Sequence, residues 1–155
     1  MEGRLVKGQI GVIGGAECSP EIYEIAREVG REIARNGFAL VCGGLSGVME
    51  GACRGAQEAG GITIGLLPTS NKGDANPYCD LVIPTGIGHA RNILVVHASD
   101  ALVAVDGEAG TLSEIAIALK IGKPIVGIKS WELEGRVPQA ERGGEAVTKL
   151  MEMLA

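Results

Sequence analysis

The 155 residues carry 14 Lys and Arg against 19 Asp and Glu, a formal net charge of −5, with 46% hydrophobic residues, 25 glycines and only 3% aromatics. That is enough chain for one domain, residues 1–155, and too little for two ordinary ones; the apolar content excludes disorder, and the acid excess without a basic run argues against nucleic-acid binding. No apolar stretch reaches membrane-span length and Met1 to Gly8 (MEGRLVKG) holds no long apolar signal region, so the expected location is the cytoplasm with no membrane partner.

Gln9 to Ile13 reads as the first strand, followed by Gly14-Gly15-Ala16-Glu17-Cys18. Ser19 then Pro20 is a helix N-cap with proline at the first helical position, where its missing N–H costs nothing. Ile22, Ile25, Ala26, Val29 and Ile33 form one apolar stripe, and Gly37 stops that helix. Phe38 to Cys42 is the second strand. The turn Gly43-Gly44-Leu45-Ser46-Gly47 opens a helix with Val48, Met49, Ala52, Cys53 and Ala56 on one side. Ile62 to Leu67 is the third strand, and the polar stretch from Pro68 to Tyr78 is a loop. Leu81 to Ile83 is a short fourth strand, and Gly86-Ile87-Gly88 leads into a helix from about His89 to Ala98. Ala101 to Val105 is the fifth strand, running into Asp106-Gly-Glu-Ala-Gly-Thr111 and a helix marked by Leu112, Ile115, Ala116 and Leu119. Gly122 closes it, Pro124 to Ile128 is the sixth strand, and a charged loop after Trp131 precedes a last helix carrying Ala146, Val147, Leu150, Met151 and Leu154.

Continuously apolar strands alternating with helices specify a parallel sheet covered on both faces: a single Rossmann-like, doubly wound α/β domain of about six or seven strands. Each glycine-rich loop follows a strand, so all lie along the carboxyl edge of the sheet, where open α/β folds bind ligands. The site should therefore gather residues from Gly14–Ser19, Gly43–Gly47, Gly86–Asn92 and Asp106–Glu114. A dinucleotide fingerprint is absent, because Gly11-Val-Ile-Gly14-Gly15 breaks the G-x-G-x-x-G spacing and the second strand ends in Cys42-Gly43 without an acid. A G-x-x-x-x-G-K-[ST] loop is absent as well. The turns at Gly43–Gly47 and Gly107–Thr111 do have the parts of anion cradles, with glycines beside the unpaired N–H groups of a helix start. Thr111 is expected to cap its helix. Glu114, one turn inside, either favours the positive helix end or faces the ligand. Of the other polar residues, Asp106 is a stronger ligand candidate than Asp100, and His89 and His97 read as packing or surface histidines. Four cysteines, Cys18, Cys42, Cys53 and Cys79, show no CxxC pair and no zinc-like spacing, so buried thiols and no metal site are expected.

GGLSGVMEG at Gly43–Gly51, GHARN at Gly88–Asn92 and GEAGTLSE at Gly107–Glu114, in that order on this fold, resemble the Lonely Guy superfamily, long mislabelled lysine decarboxylases. That group includes cytokinin-activating nucleoside-5′-monophosphate phosphoribohydrolases and molybdenum-cofactor carriers. The resemblance implies a phosphorylated ligand, either a nucleotide or a molybdopterin-type cofactor, held by Gly14, Gly15, Gly43, Gly44, Gly47, Arg91, Asp106, Gly107, Gly110 and Thr111. In the hydrolases the matching positions imply Arg91 and Glu114 as the catalytic pair. No cofactor is required for that cleavage. Two departures stand out: the hydrolases' PGG is Asp106-Gly107-Glu108 here, and the lysine of their HxRK is Asn92. Both are closer to the small molybdenum-cofactor-carrier-like subgroup, which makes a binding protein the leading expectation and the phosphoribohydrolase the alternative. The resemblance also implies a homodimer or higher homo-oligomer.

Overall fold

A computed structural model describes residues 5–155; residues 1–4, part of the segment searched for a signal, lie outside the described residues. The elements run β1 (Gln9–Gly14), α1 (Pro20–Arg35), β2 (Ala39–Cys42), α2 (Val48–Glu58), β3 (Thr63–Leu67), β4 (Leu81–Pro84), α3 (Arg91–Ala98), β5 (Ala101–Val105), α4 (Ala109–Ile121), β6 (Ile125–Ile128), β7 (Gln139–Ala140) and α5 (Gly143–Leu154), with single 3₁₀ turns at Lys72–Asp74 and Gly88–Ala90. All seven strands are parallel in one sheet, ordered β4-β3-β2-β1-β5-β6-β7. The chain winds outward from β1 in one direction, then returns to β5 and winds the other way. The switch point lies between β1 and β5.

Local chemistry sets the element ends. The Ser19 hydroxyl accepts from Ile22 N–H at 3.2 Å and caps α1 behind Pro20. Gly122 ends α4 in the left-handed conformation at φ 75°. Period-two alternation sends Ile10, Val12, Leu40, Cys42, Val103, Val105 and Val126 to the face covered by α1, α2 and α5. Ile13, Val41, Leu66, Leu102, Ala104 and Ile125 go to the face covered by α3 and α4. Three helices lie on one face and two on the other.

The seven strands fall within the expected six or seven, but the seventh, β7, had no assigned place in the sequence, because two paired residues within a charged loop carry no periodicity. Thr111 does not cap α4: the cap position is Glu108, which makes no side-chain capping bond, and Thr111 is buried in the first turn. Of the cysteines, Cys42 and Cys53 are buried, as expected, and Cys18 and Cys79 are half-buried. No described helix is long and apolar enough to cross a membrane.

Candidate functional site

A cavity of about 410 Å³ opens at the carboxyl ends of β1 and β5, the crevice where open α/β sheets take ligands. The size suits a nucleotide-sized molecule. All four expected loops contribute to its wall: Gly14 to Glu17 after β1, Gly43 and Leu45 after β2, His89, Arg91 and Asn92 before and on α3, and Asp106 to Glu114 after β5. Nine of the eleven residues expected at the site line it. Asp106 and Glu108 both line it, Asp106 with a positive φ of 51° and its carbonyl accepting from the Ser130 hydroxyl at 2.8 Å.

Two glycines expected to bind the ligand, Gly44 and Gly47, do not line the cavity. Two donors of this turn are used within the protein: Gly44 N–H points to Cys42 Sγ at 3.3 Å, and Val48 N–H, at the head of α2, donates to Gly15 O at 3.0 Å. Gly47 is needed for its φ of 65° and for space: a Cβ there would lie 2.6 Å from the Ala16 carbonyl carbon. Gly43 and Leu45 are the residues of this turn that reach the cavity wall.

The head of α4 is different. Its first closed backbone bond among the turns runs from Leu112 N–H to Glu108 O at 2.9 Å, which leaves the amides just ahead without helical partners. Gly107 and Gly110 keep that end of the helix open to the cavity. Backbone donors and the positive dipole end face the same space.

Arg91 lies across from it. Its side chain is folded inward and buried, 8% exposed, although it opens the short helix α3. Gly43 makes this possible, because a Cβ there would stand 2.6 Å from Arg91 Nη2 and 2.7 Å from Cζ. Asn92 Oδ1 accepts from Arg91 Nη1, and Asn92 Nδ2 reaches the Ser113 hydroxyl at 3.4 Å. Asn92, the position of the hydrolases' lysine, therefore serves as a brace for the arginine. Arg91 Nε is buried with no hydrogen-bond partner among the described residues. A buried guanidinium N–H left unpaired is costly, and a ligand oxygen in the cavity would satisfy it.

Glu114 is equally buried, 6% exposed, on the cavity wall. Burial pushes its carboxyl up to about 7, with Arg91 pulling the other way. Burial likewise lowers Arg91, and Glu114 opposes that. The two feel each other's charge yet form no ion pair, so the space between them belongs to neither. Perturbed, buried ionisable groups flanking a cavity mark functional sites. His89, within the expected Gly86–Asn92 loop but read as a packing or surface histidine, also lines the wall; Val12, Ile13 and Met49 supply an apolar floor. Asp100 stands elsewhere, accepting from Gln9 N–H at 2.9 Å.

The family model described as the SLOG cluster4 family matches residues 7–153. An uncharacterized protein of Archaeoglobus fulgidus is 51% identical over 121 residues, covering 78% of this chain and 80% of the relative. A cytokinin riboside 5′-monophosphate phosphoribohydrolase of Mycobacterium tuberculosis is 35% identical over 120 residues, 72% of this chain but only 64% of that enzyme. The solved structure of the molybdenum cofactor binding protein of Rippkaea orientalis superposes with a TM-score of 0.91 at 34% identity, covering 98% of this chain and all of that one. The molybdenum cofactor carrier protein of Chlamydomonas reinhardtii gives 0.86 at 36% identity, over 96% and 99%.

Proposed function

The chain belongs to the SLOG cluster4 family, and from that premise we propose that it binds a phosphorylated nucleotide-like ligand, a nucleotide or a molybdopterin-type cofactor, and holds it without turnover. The observation that carries this reading is the buried Arg91 whose Nε has no partner, facing the open head of α4. Arg91 Nε, the backbone N–H groups at Gly107 to Thr111 and the Thr111 hydroxyl would hold the ligand's phosphate, and Gly14, Gly15, Leu45 and Met49 would line the space for the remainder. A molybdopterin-type cofactor brings its phosphate and its pterin ring; this chain's residues supply grip and orientation. Whole-chain similarity to two molybdenum-cofactor proteins supports the carrier form of the reading.

The phosphoribohydrolase is the second reading, favoured by Arg91 and Glu114 together and by the mycobacterial relative. There Glu114 would stabilise positive charge growing on the ribose as the N-glycosidic bond breaks, which requires it as a carboxylate. Burial pushes its pKa up to about 7, which leaves much of it in the neutral form at neutral pH. Incubation with a panel of nucleoside monophosphates, following binding by calorimetry and release of base and ribose 5-phosphate, separates the two. Saturable binding with no release is expected. Release that disappears in Glu114→Ala would refute the carrier reading.

We also propose that the chain pairs with a second copy of itself. Leu81 and Ile83 of β4 stand beside Ile64 and Leu66 of β3 in register, hence on the face covered only by α3 and α4. They are 55% and 49% exposed, and Ile93 and Leu94 of α3 are exposed too. This uncovered apolar edge of the two-helix face is the surface a second copy would close.

A further inference from the structure

Behind the turn that follows β2, three cysteines distant in sequence converge. Cys42 ends β2, Cys53 sits on α2, and Cys79 comes from the loop before β4. Cys42 Sγ and Cys53 Sγ are 3.5 Å apart, Cys53 Sγ and Cys79 Sγ 4.0 Å, and all three sulfurs lie within 4.8 Å of one another. Cys42 and Cys53 are fully buried, while Cys79 is half-buried and gives the cluster its route to solvent. The space for the third sulfur is provided by Gly65, the register partner of Cys42 on β3: a Cβ on Gly65 would lie 2.8 Å from Cys79 Sγ. Asn76 fixes the loop that carries Cys79, donating to Leu45 O and accepting from Tyr78 N–H, both at 2.9 Å.

From this cluster we propose a binding site for a soft d¹⁰ metal ion, with Cu(I) as its biological occupant, held by Cys42, Cys53 and Cys79. A trigonal ion with metal–sulfur bonds of about 2.3 Å spaces its sulfurs about 4.0 Å apart, so the trio needs only sub-ångström adjustment. Three sulfurs with no fourth donor select such an ion. No His, Asp or Glu joins the group among the described residues. The neighbouring carboxylate of Asp80 is engaged by Thr63 N–H at 2.9 Å and by Gln57 Nε2 at 3.1 Å. Zinc in closed protein sites takes four ligands, and thiolate-only sets favour soft ions. Cys79, the one sulfur of the three with a route to solvent, receives the ion first, and coordination displaces the thiol protons to solvent. Arg91, whose charge reaches Cys42, offsets part of the negative charge left behind.

The test uses purified full-length protein under anaerobic, reducing conditions with one equivalent of Cu(I) or of Zn(II), each set against a chelator of known affinity. Wild type should retain one Cu(I), displace Zn(II) in favour of Cu(I), and show only sulfur neighbours to copper by X-ray absorption. Cys79→Ser, at a half-exposed position, should lower Cu(I) affinity at least 100-fold with little change in melting temperature; Cys53→Ala should do the same. Failure of wild type to hold Cu(I) against the chelator, preference for Zn(II), or undiminished affinity in Cys79→Ser would each overturn the assignment. Nucleotide binding measured on the same samples is independent of the outcome.

Discussion

Replacing Glu114 with glutamine should make the protein more stable, and only at higher pH. The carboxyl is buried with its pKa moved from 4.5 to about 7. A rise of that size corresponds to about 3 kcal/mol at roughly 1.4 kcal/mol per pH unit. The folded state binds this proton more tightly than the unfolded chain does. Its contribution is therefore intact below pH 4.5 and is lost as pH rises toward and past 7. Glutamine keeps the shape and carries no charge to bury. Urea unfolding of both proteins should give equal stabilities at pH 4, and at pH 8.5 an advantage of about 3 kcal/mol for Glu114→Gln. For a chain of this length that is about 6–12 °C in melting temperature. The gain should accumulate between pH 4.5 and 7.5. A constant offset at all pH values, or a wild type as stable as the variant at pH 8.5, would refute the argument that Glu114 is held against its own desolvation. A residue kept at such a cost is kept for the site rather than for the fold.

Arg91→Ala should weaken binding of a nucleoside monophosphate by about 1.5–3 kcal/mol, the range for hydrogen bonds to charged groups; calorimetry showing unchanged affinity would remove Arg91 from the site. Gly43→Ala should cost affinity without touching the ligand, because the new methyl occupies the guanidinium's place, and a crystal structure with Arg91 unmoved would contradict this. Ile93→Glu combined with Leu94→Glu should yield a monomer with native circular dichroism in light scattering at micromolar concentration. A dimer that survives both charges would place the interface elsewhere.

The fold was legible because its signals are local. Each strand from β1 to β5 is an apolar run with glycine or proline at its end or within two residues after it, and strand–helix alternation on a parallel sheet leaves few arrangements. The four site loops were legible for the same reason, since every one follows a strand. What stayed hidden depends on three-dimensional approach. Nothing in GGLSG tells that Gly43 and Leu45 reach the cavity while Gly44 and Gly47 do not. Arg91 reads as an ordinary helix charge until Gly43, 48 residues earlier, is seen to leave room for it. The cysteine trio is separated by 11 and 26 residues, so no spacing rule written for contiguous metal loops could find it.

The proton on Glu114 also decides between the two readings of the cavity. An N-glycosidic bond that breaks in place leaves positive charge on the ribose, and only the carboxylate form of Glu114 answers it. Gripping a phosphorylated ligand asks for the opposite. On the proposed binding reading, a phosphate in the cavity adds negative charge near Glu114 and favours its protonated form further. Binding and protonation then reinforce each other, as a holder requires. It follows that ligand affinity should fall as pH rises past 7 in wild type and change less in Glu114→Gln. Base release that instead climbs with pH, along the curve that describes the stability difference, would show the carboxylate at work and make the protein a hydrolase.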